Sequence, residues 1–267
     1  MSTALLDGRG RMGGQVGVLL RQWRELRRMT QLDLSGVAEV STRHLSYLET
    51  GRSQPSREMV LHLAEQLDVP PRQRNELLLA AGYAPVYTET SLDAPAMQPV
   101  REALVRILDG HNPYPALVVD RDWNLLLGND SLSLFTDDAA PELLRPPVNA
   151  LRLALHPDGM AARTVNLTEW RAHILIGLRR RARTDRAAAE LYEELRGYPG
   201  GEPDPSTVSS DLVVPLRLRD PVAGELRLYA TIATFGAPHD ITAAELAIET
   251  FWPADEATRI GLESRVV

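Results

Sequence analysis

Thr42, Arg43, Ser46 and Tyr47 lie in the stretch "STRHLSYLETGR" (Ser41 to Arg52), with Leu45 and Leu48 set between them. On a helix, residues three and four apart share a face, so this spacing turns the polar groups outward and the two leucines inward. An arginine can donate two parallel hydrogen bonds to a guanine edge, and a threonine can meet a base edge or a thymine methyl. Tyr47 comes one turn after Arg43. Gln31 opens the preceding helical pattern, where it can reach a phosphate or a base, and Ser46 and Arg52 extend the same polar surface. This is chemistry suited to the DNA major groove. Two short helices and a tight turn also occur in many all-α proteins, where such residues merely face water, and spacing alone leaves both readings open.

The rest of the chain offers little catalytic chemistry. There is no G-x-S-x-G elbow, no H-E-x-x-H, no P-loop and no G-x-G-x-x-G. His156 and Asp158 could form an acid–base pair, but "HPDG" has the composition of a turn. No enzyme activity, metal or cofactor is therefore expected. What the later residues do supply is Trp123, Phe135, Trp170 and Phe235 among Asn129, Asn149, Arg152, His156 and Arg171. Large apolar groups around a few polar anchors suit a small-molecule pocket and suit an ordinary core equally well.

These residues must be positioned by a chain of 267 residues, enough for one large or two ordinary domains. With 44% hydrophobic and 24% charged residues it has a globular composition. No long apolar run or leader-like start is apparent, so neither a membrane span nor a secretory signal is expected. The absence of cysteine excludes disulfides and thiolate chemistry and makes the cytoplasm the natural compartment. All 29 basic residues are arginine. The net charge of -7 divides unevenly, about +1 over residues 1–90 and -8 over the remainder. A surface for a polyanion can exist only as a local patch on the N-terminal part, and phosphate would repel the rest.

From Val16 to Gly82 the pattern predicts five short helices. Val16, Leu19, Leu20, Trp23 and Leu26 form one stripe; Thr30 and Ser41 are N-caps; Gly51 closes the third helix; Pro70–Pro71 open the fifth. Residues 84–96 read as a linker and residues 1–14 as a mobile arm. A helix is expected from about Met97 to Asp109. Two hairpins follow, one around Arg121–Asp122 and one joined by "DPVAG", the latter with Leu212, Val214, Leu216 and Leu218 facing Leu226, Leu228, Ala230 and Ile232. Between them lie an extended run at 163–165 and a helix from about Leu167 to Arg183. The segment 197–211 is too rich in Gly, Pro and Ser for either element. Helices gathered on one face of an antiparallel sheet are the expected outcome.

Residues Met29 to Val69 resemble the helix-turn-helix of phage-repressor-like (Xre-type) regulators, through "TQ" before the second helix, "VS" before the third, "LExG" at its end and proline before the fourth. That resemblance places Gln31, Thr42, Arg43 and Tyr47 at DNA-contacting positions and makes Arg24 and Glu49 a pair tying helix one to helix three. Glu39 stands where the turn usually carries glycine, at a cost on the order of 1 kcal/mol for a positive φ. A broader resemblance covers nearly the whole chain. "NPYPALVVDRDWNLLLGN", "LRLALHPDGMAARTVNLTEWRAH" and "ITAAELAIETFWPADEATR" look like the MmyB-like transcription regulators. It implies a lambda-repressor-like, all-α five-helix DNA-binding bundle (residues 15–83) followed by an α+β PAS-like domain with an antiparallel sheet (residues 97–267). It also implies a buried cavity for a fatty-acid-like lipophile.

The motif does not say which residues hold that ligand. Apolar walls, with Trp123, Trp170 and Phe235 among the candidates, are expected to take the chain. Arg152 or Arg171 with Asn129 would take an acidic head group, because a buried carboxylate needs donors; His156 is a further candidate. The expected partners are a double-stranded DNA operator, a second copy of the chain and a small lipophile, without a membrane. A protein-interaction module, or an enzyme acting on a lipid-like substrate, remains an alternative use of the C-terminal part.

Overall fold

The structure, a computed structural model, describes residues 7–183, 185–200, 213–236 and 238–266. These divide into two compact units. One runs to Ser91 and includes residues 238–244; the other comprises Leu92–Gly236 and the residues from Glu245 onward.

The first unit is built from α1 (Asp7–Leu26), α2 (Gln31–Val37), α3 (Thr42–Glu49), α4 (Arg57–Gln66) and α5 (Pro71–Ala80). Residues 7–14, expected in an arm, are helical, and residues 1–6 lie outside the described residues. Thr30, Ser41 and Ser56 cap three of these helices, each side-chain oxygen accepting from a backbone N–H of the first turn. Proline at the start of α5 costs nothing there, because that N–H has no helical partner. Val16, Leu20, Leu34, Leu45, Leu48, Val60, Leu63 and Leu67 form a core with no solvent contact. Leu26, assigned above to the buried stripe, is instead exposed, since α1 ends there.

Two backbone positions make the tight packing possible. A Cβ on Gly17 would come within 2.3 Å of the Leu48 carbonyl oxygen, so only glycine lets α1 approach α3 this closely. Glu39 adopts φ 52°, the left-handed geometry that the turn between α2 and α3 demands.

Residues after α5, read from sequence as linker, are bound to this unit. Asn75 accepts from Val86 N (3.0 Å) and Tyr87 N (3.2 Å) and donates to Tyr87 O (2.8 Å). Further on, Asp240 accepts from the Thr88 hydroxyl (2.9 Å) and from Thr90 N and its hydroxyl (3.1 and 2.7 Å). Residues 238–244 thus belong with the helical unit, although the sequence reading gave them to the C-terminal domain. Side-chain hydrogen bonds across 150 residues leave no local trace in a sequence.

The second unit contains α6 (Gln98–Asp109), β1 (Ala116–Val119), β2 (Leu125–Gly128), α7 (Ser133–Thr136), α8 (Ala150–Leu155), α9 (Leu167–Arg181), α10 (Arg186–Arg196), β3 (Leu216–Asp220) and β4 (Gly224–Thr234). The chain then passes α11 (Ile241–Glu245), which spans the boundary between units, and finishes with β5 (Ala247–Pro253) and α12 (Glu256–Glu263). The five strands form one antiparallel sheet in the order β2-β1-β5-β4-β3, the PAS-like arrangement, with the last strand in sequence at its centre.

Both expected hairpins are present. Asp220 closes the second by accepting from Val222 N and Ala223 N. Its first strand is shorter than the alternation suggested: it begins at Leu216, Val213 is exposed, and Leu212 lies outside the described residues, as does most of 197–211. The run at 163–165 is not a full strand but borders β3, with Val165 N donating to Arg217 O (2.8 Å) and Arg219 N to Arg163 O (2.9 Å).

Candidate functional site

On the first unit, α3 presents its polar face as the spacing predicts. Thr42 and Arg43 are exposed, Ser46 and Tyr47 half-buried, and Leu45 and Leu48 fully buried. The Arg43 Nε donates to the Tyr47 hydroxyl (3.0 Å), its guanidinium lies 5.4 Å from the ring centroid, and that of Arg52 lies 5.8 Å from it. Two cations against one aromatic ring give a flat, positive, hydrogen-bonding surface beside the helix. Thr42 is held by the Ser35 hydroxyl at 3.0 Å, which fixes α3 against α2.

Behind this face, Arg24 donates from Nε and Nη2 to the two oxygens of Glu49 (2.6 and 2.9 Å) and from Nη1 to Met29 O (2.8 Å). The hydrogen bond to Glu49 raises the Arg24 pKa. Gln31 also donates to Glu49 (2.8 Å). Gln31, expected at the nucleic acid, here spends its amide on the α1–α3 lock, and it must release Glu49 or turn its other face to reach a base.

The second unit encloses a cavity of about 270 Å³ between the sheet and its covering helices. Leu117, Leu125, Leu216, Ala230 and Phe251 line it from the strands; Phe135, Leu151, Ala154 and Met160 close one side; Trp170, Ile174, Gly177 and Leu178 of α9 form the other. Ile232 is 56% exposed and also borders the cavity, which marks where it meets solvent.

Of the residues singled out from sequence, Trp123, Phe135 and Trp170 border the cavity. The others are placed differently. Asn129 is a structural clamp: it accepts from Ala116 N (3.0 Å) and donates to Tyr114 O (2.8 Å) and Leu108 O (3.2 Å), so both of its donors are spent on the backbone. Arg171, only 1% exposed, donates to Leu195 O (3.0 Å) and Arg196 O (2.7 Å), satisfying carbonyls at the end of α10. Burial lowers its pKa. Arg152 grips Glu194 through two bonds (2.7 and 2.8 Å) beside a separate polar recess. His156 accepts from Asp158 N (3.0 Å) and packs edge-on against Tyr198, and Phe235 does not line the cavity. The two arginines fit a head group by residue type, but long-range partners on α10 engage their guanidinium groups.

The cavity's own polar lining was missed by sequence reasoning. It consists of His173 and Arg181 on α9 and Glu249 on β5. Glu249 sits opposite Leu117 of β1 and Ile232 of β4, in line with Ala247 and Phe251. Burial pushes its carboxyl up to about 7. A charged residue in register with inward apolar neighbours was the signal available in "AIETF". Trp170 Nε1 is buried without a hydrogen-bond partner among the described residues.

Fold and sites together define a DNA-binding helix-turn-helix unit joined to a small-molecule-binding unit. Residues 100–264 match the family model of the MmyB-like transcription regulator ligand binding domain, and residues 15–77 match that of a helix-turn-helix domain. The first match spans more than half of the chain, which therefore belongs to the MmyB-like transcription regulators. Two solved structures of the clp gene regulator ClgR from Corynebacterium glutamicum are similar to part of it. One is 27% identical over 27% of this chain and 88% of that one, the other 25% identical over 38% and 95%, each with a TM-score of 0.24. No curated protein matches. Among the described residues no helix is long and apolar enough to cross a membrane.

Proposed function

We propose that this transcription regulator binds an inverted-repeat operator as a homodimer and that a fatty-acid-like lipophile in the cavity sets its operator affinity. Gln31, Thr42, Arg43, Ser46, Tyr47 and Arg52 are the proposed DNA contacts, with Arg43 reading a base edge and Arg52 holding a phosphate. Two such helices about 34 Å apart would enter successive major grooves. The reading places the protein in the cytoplasm, with its DNA.

The observation that carries the sensory half is the cavity itself, walled by aliphatic and aromatic side chains and furnished with few polar groups. A ligand there can shift operator affinity only as far as it binds the operator-competent form better or worse than the alternative. Native mass spectrometry of the purified protein, then denaturation and identification of what is released, tests this directly. An unmodified lipophile, one per chain in a dimer, is the expected result, and adding it back should change operator affinity. A monomer, or a released compound without effect on DNA binding, overturns it.

A further inference from the structure

Glu249 occupies the inner face of the central strand, where the flanking cross-strand residues are Leu117 and Ile232. Its neighbours in line on the same strand are Ala247 and Phe251. Every one of those positions is apolar, as the floor of an apolar cavity requires. Glu249 is the exception, and no hydrogen bond or ion pair ties it to another described residue. Glu249 borders the cavity and is half-buried. A carboxyl in such a place is costly to the folded chain unless something supplies a hydrogen-bond donor.

No other described residue supplies one. The other charged or titratable groups bordering the cavity are His173 and Arg181, both on α9, and Arg181 lies 3.4 Å from Asp185. The strands next to β5 contribute Leu117, Ala230 and Ile232, and α7 and α8 contribute no titratable group to the lining. His173 and Arg181 on one wall and the Glu249 carboxyl on the floor make the cavity polar at two separate places.

Resting on the lipophile reading above, we propose that Glu249 selects a hydroxylated lipophile, whose hydroxyl donates a hydrogen bond to the Glu249 carboxylate while the hydrocarbon fills the apolar walls. A site built around a buried acceptor discriminates strongly against the analogue that lacks the donor, because that analogue leaves the acceptor unpaired. A plain alkanoate can meet Arg181 with its head, but it leaves Glu249 facing methylenes. Since burial alone raises the carboxyl to about 7, a donor that stabilises the charged form makes binding release a proton near neutrality.

The test uses the full-length chain freed of bound lipid. Dodecanoate and a set of monohydroxydodecanoates differing in hydroxyl position compete for the cavity against phenylnaphthylamine, a neutral fluorescent lipophile. At about pH 8 the best hydroxy isomer should bind about tenfold more tightly than dodecanoate, equivalent to about 1.4 kcal/mol. Titration calorimetry near pH 7 in two buffers of different ionisation enthalpy should show proton release with that isomer and none, or uptake, with dodecanoate. Glu249→Leu should abolish the preference, while Glu249→Gln, which keeps an acceptor, should retain part of it.

Equal affinity for all chains in the wild-type protein, or an undiminished preference in Glu249→Leu, overturns the proposal and leaves the lipophile reading standing. Failure of phenylnaphthylamine and every chain to bind overturns both. The wild-type comparison needs no variant, so poor folding of Glu249→Leu does not remove the test.

Discussion

Glu49 and Glu249 are both carboxylates taken into the protein, and the two units treat them oppositely. At the α1–α3 junction, Glu49 receives donors from Arg24 and Gln31, three bonds of 2.6 to 2.9 Å. On the cavity floor, Glu249 is surrounded by Leu117, Ile232 and Phe251 and receives none from another described residue. A buried charge that is fully paired fixes geometry, here the pose of the recognition helix against its support. One left without a donor inside a binding cavity has a task that a ligand completes. The helical unit closes its interior chemistry and keeps its function on the surface, whereas the sheet unit leaves its function inside.

The largest effect expected from this contrast comes from breaking the closed pair. Arg24→Met leaves Glu49 buried with its principal partner gone and should cost about 3–5 kcal/mol of stability, read from chemical denaturation. Arg24→Met combined with Glu49→Leu should recover most of that loss. If the double variant is as unstable as the single one, the pair contributes beyond mutual neutralisation.

The open carboxyl predicts the reverse sign. Its folded pKa of about 7 lies above the unfolded value near 4.5, so between those values the folded chain binds more protons than the unfolded one. Stability contributed by this group is present at low pH, declines as pH rises through that window and stays lost above it. Glu249→Gln should therefore stabilise the unliganded protein by up to about 3 kcal/mol at pH 8 and by little at pH 5, as measured by unfolding at both. A stabilisation that is the same at both pH values would mean the carboxyl is not held in its neutral form.

Surface chemistry should separate cleanly from stability. Arg43→Ala should weaken operator binding by about 1–3 kcal/mol and relax specificity at one base position, in fluorescence anisotropy titrations against single-base operator variants. Its melting temperature should barely change. The smallest effect is expected from Arg52→Ala: a nearly uniform weakening across operators and a shallower salt dependence, by about one unit of logarithmic slope for each DNA site it touches.

The helical unit was largely legible because its determinants are local. Thr30, Ser41 and Ser56 cap helices from within three residues, and leucines recur at helical spacing. Even the unusual Glu39 could be placed at the left-handed turn through the resemblance to phage-repressor-like regulators. The cavity was less legible because its determinants are distant in sequence. Arg152 and Arg171 were attractive as ligand donors by residue type, but Glu194 and the carbonyls of Leu195 and Arg196, some 24 to 42 positions away, engage them first. Strand β5 was hidden by Glu249 itself, since an inward carboxylate interrupts the alternation by which strands are recognised. The residue that obscured the strand is the one that makes its position chemically distinctive.

Asp240 has a practical bearing on how the protein can be divided. Because it holds Thr88 and Thr90 from a point between β4 and β5, a fragment ending at Ser91 keeps both threonines and loses the carboxylate that secures them. The mirror-image fragment starting at Leu92 keeps residues 238–244 but strips them of their anchorage. Neither half is a clean cut, and each should be more susceptible to proteases along that severed seam than the same residues are in the intact chain.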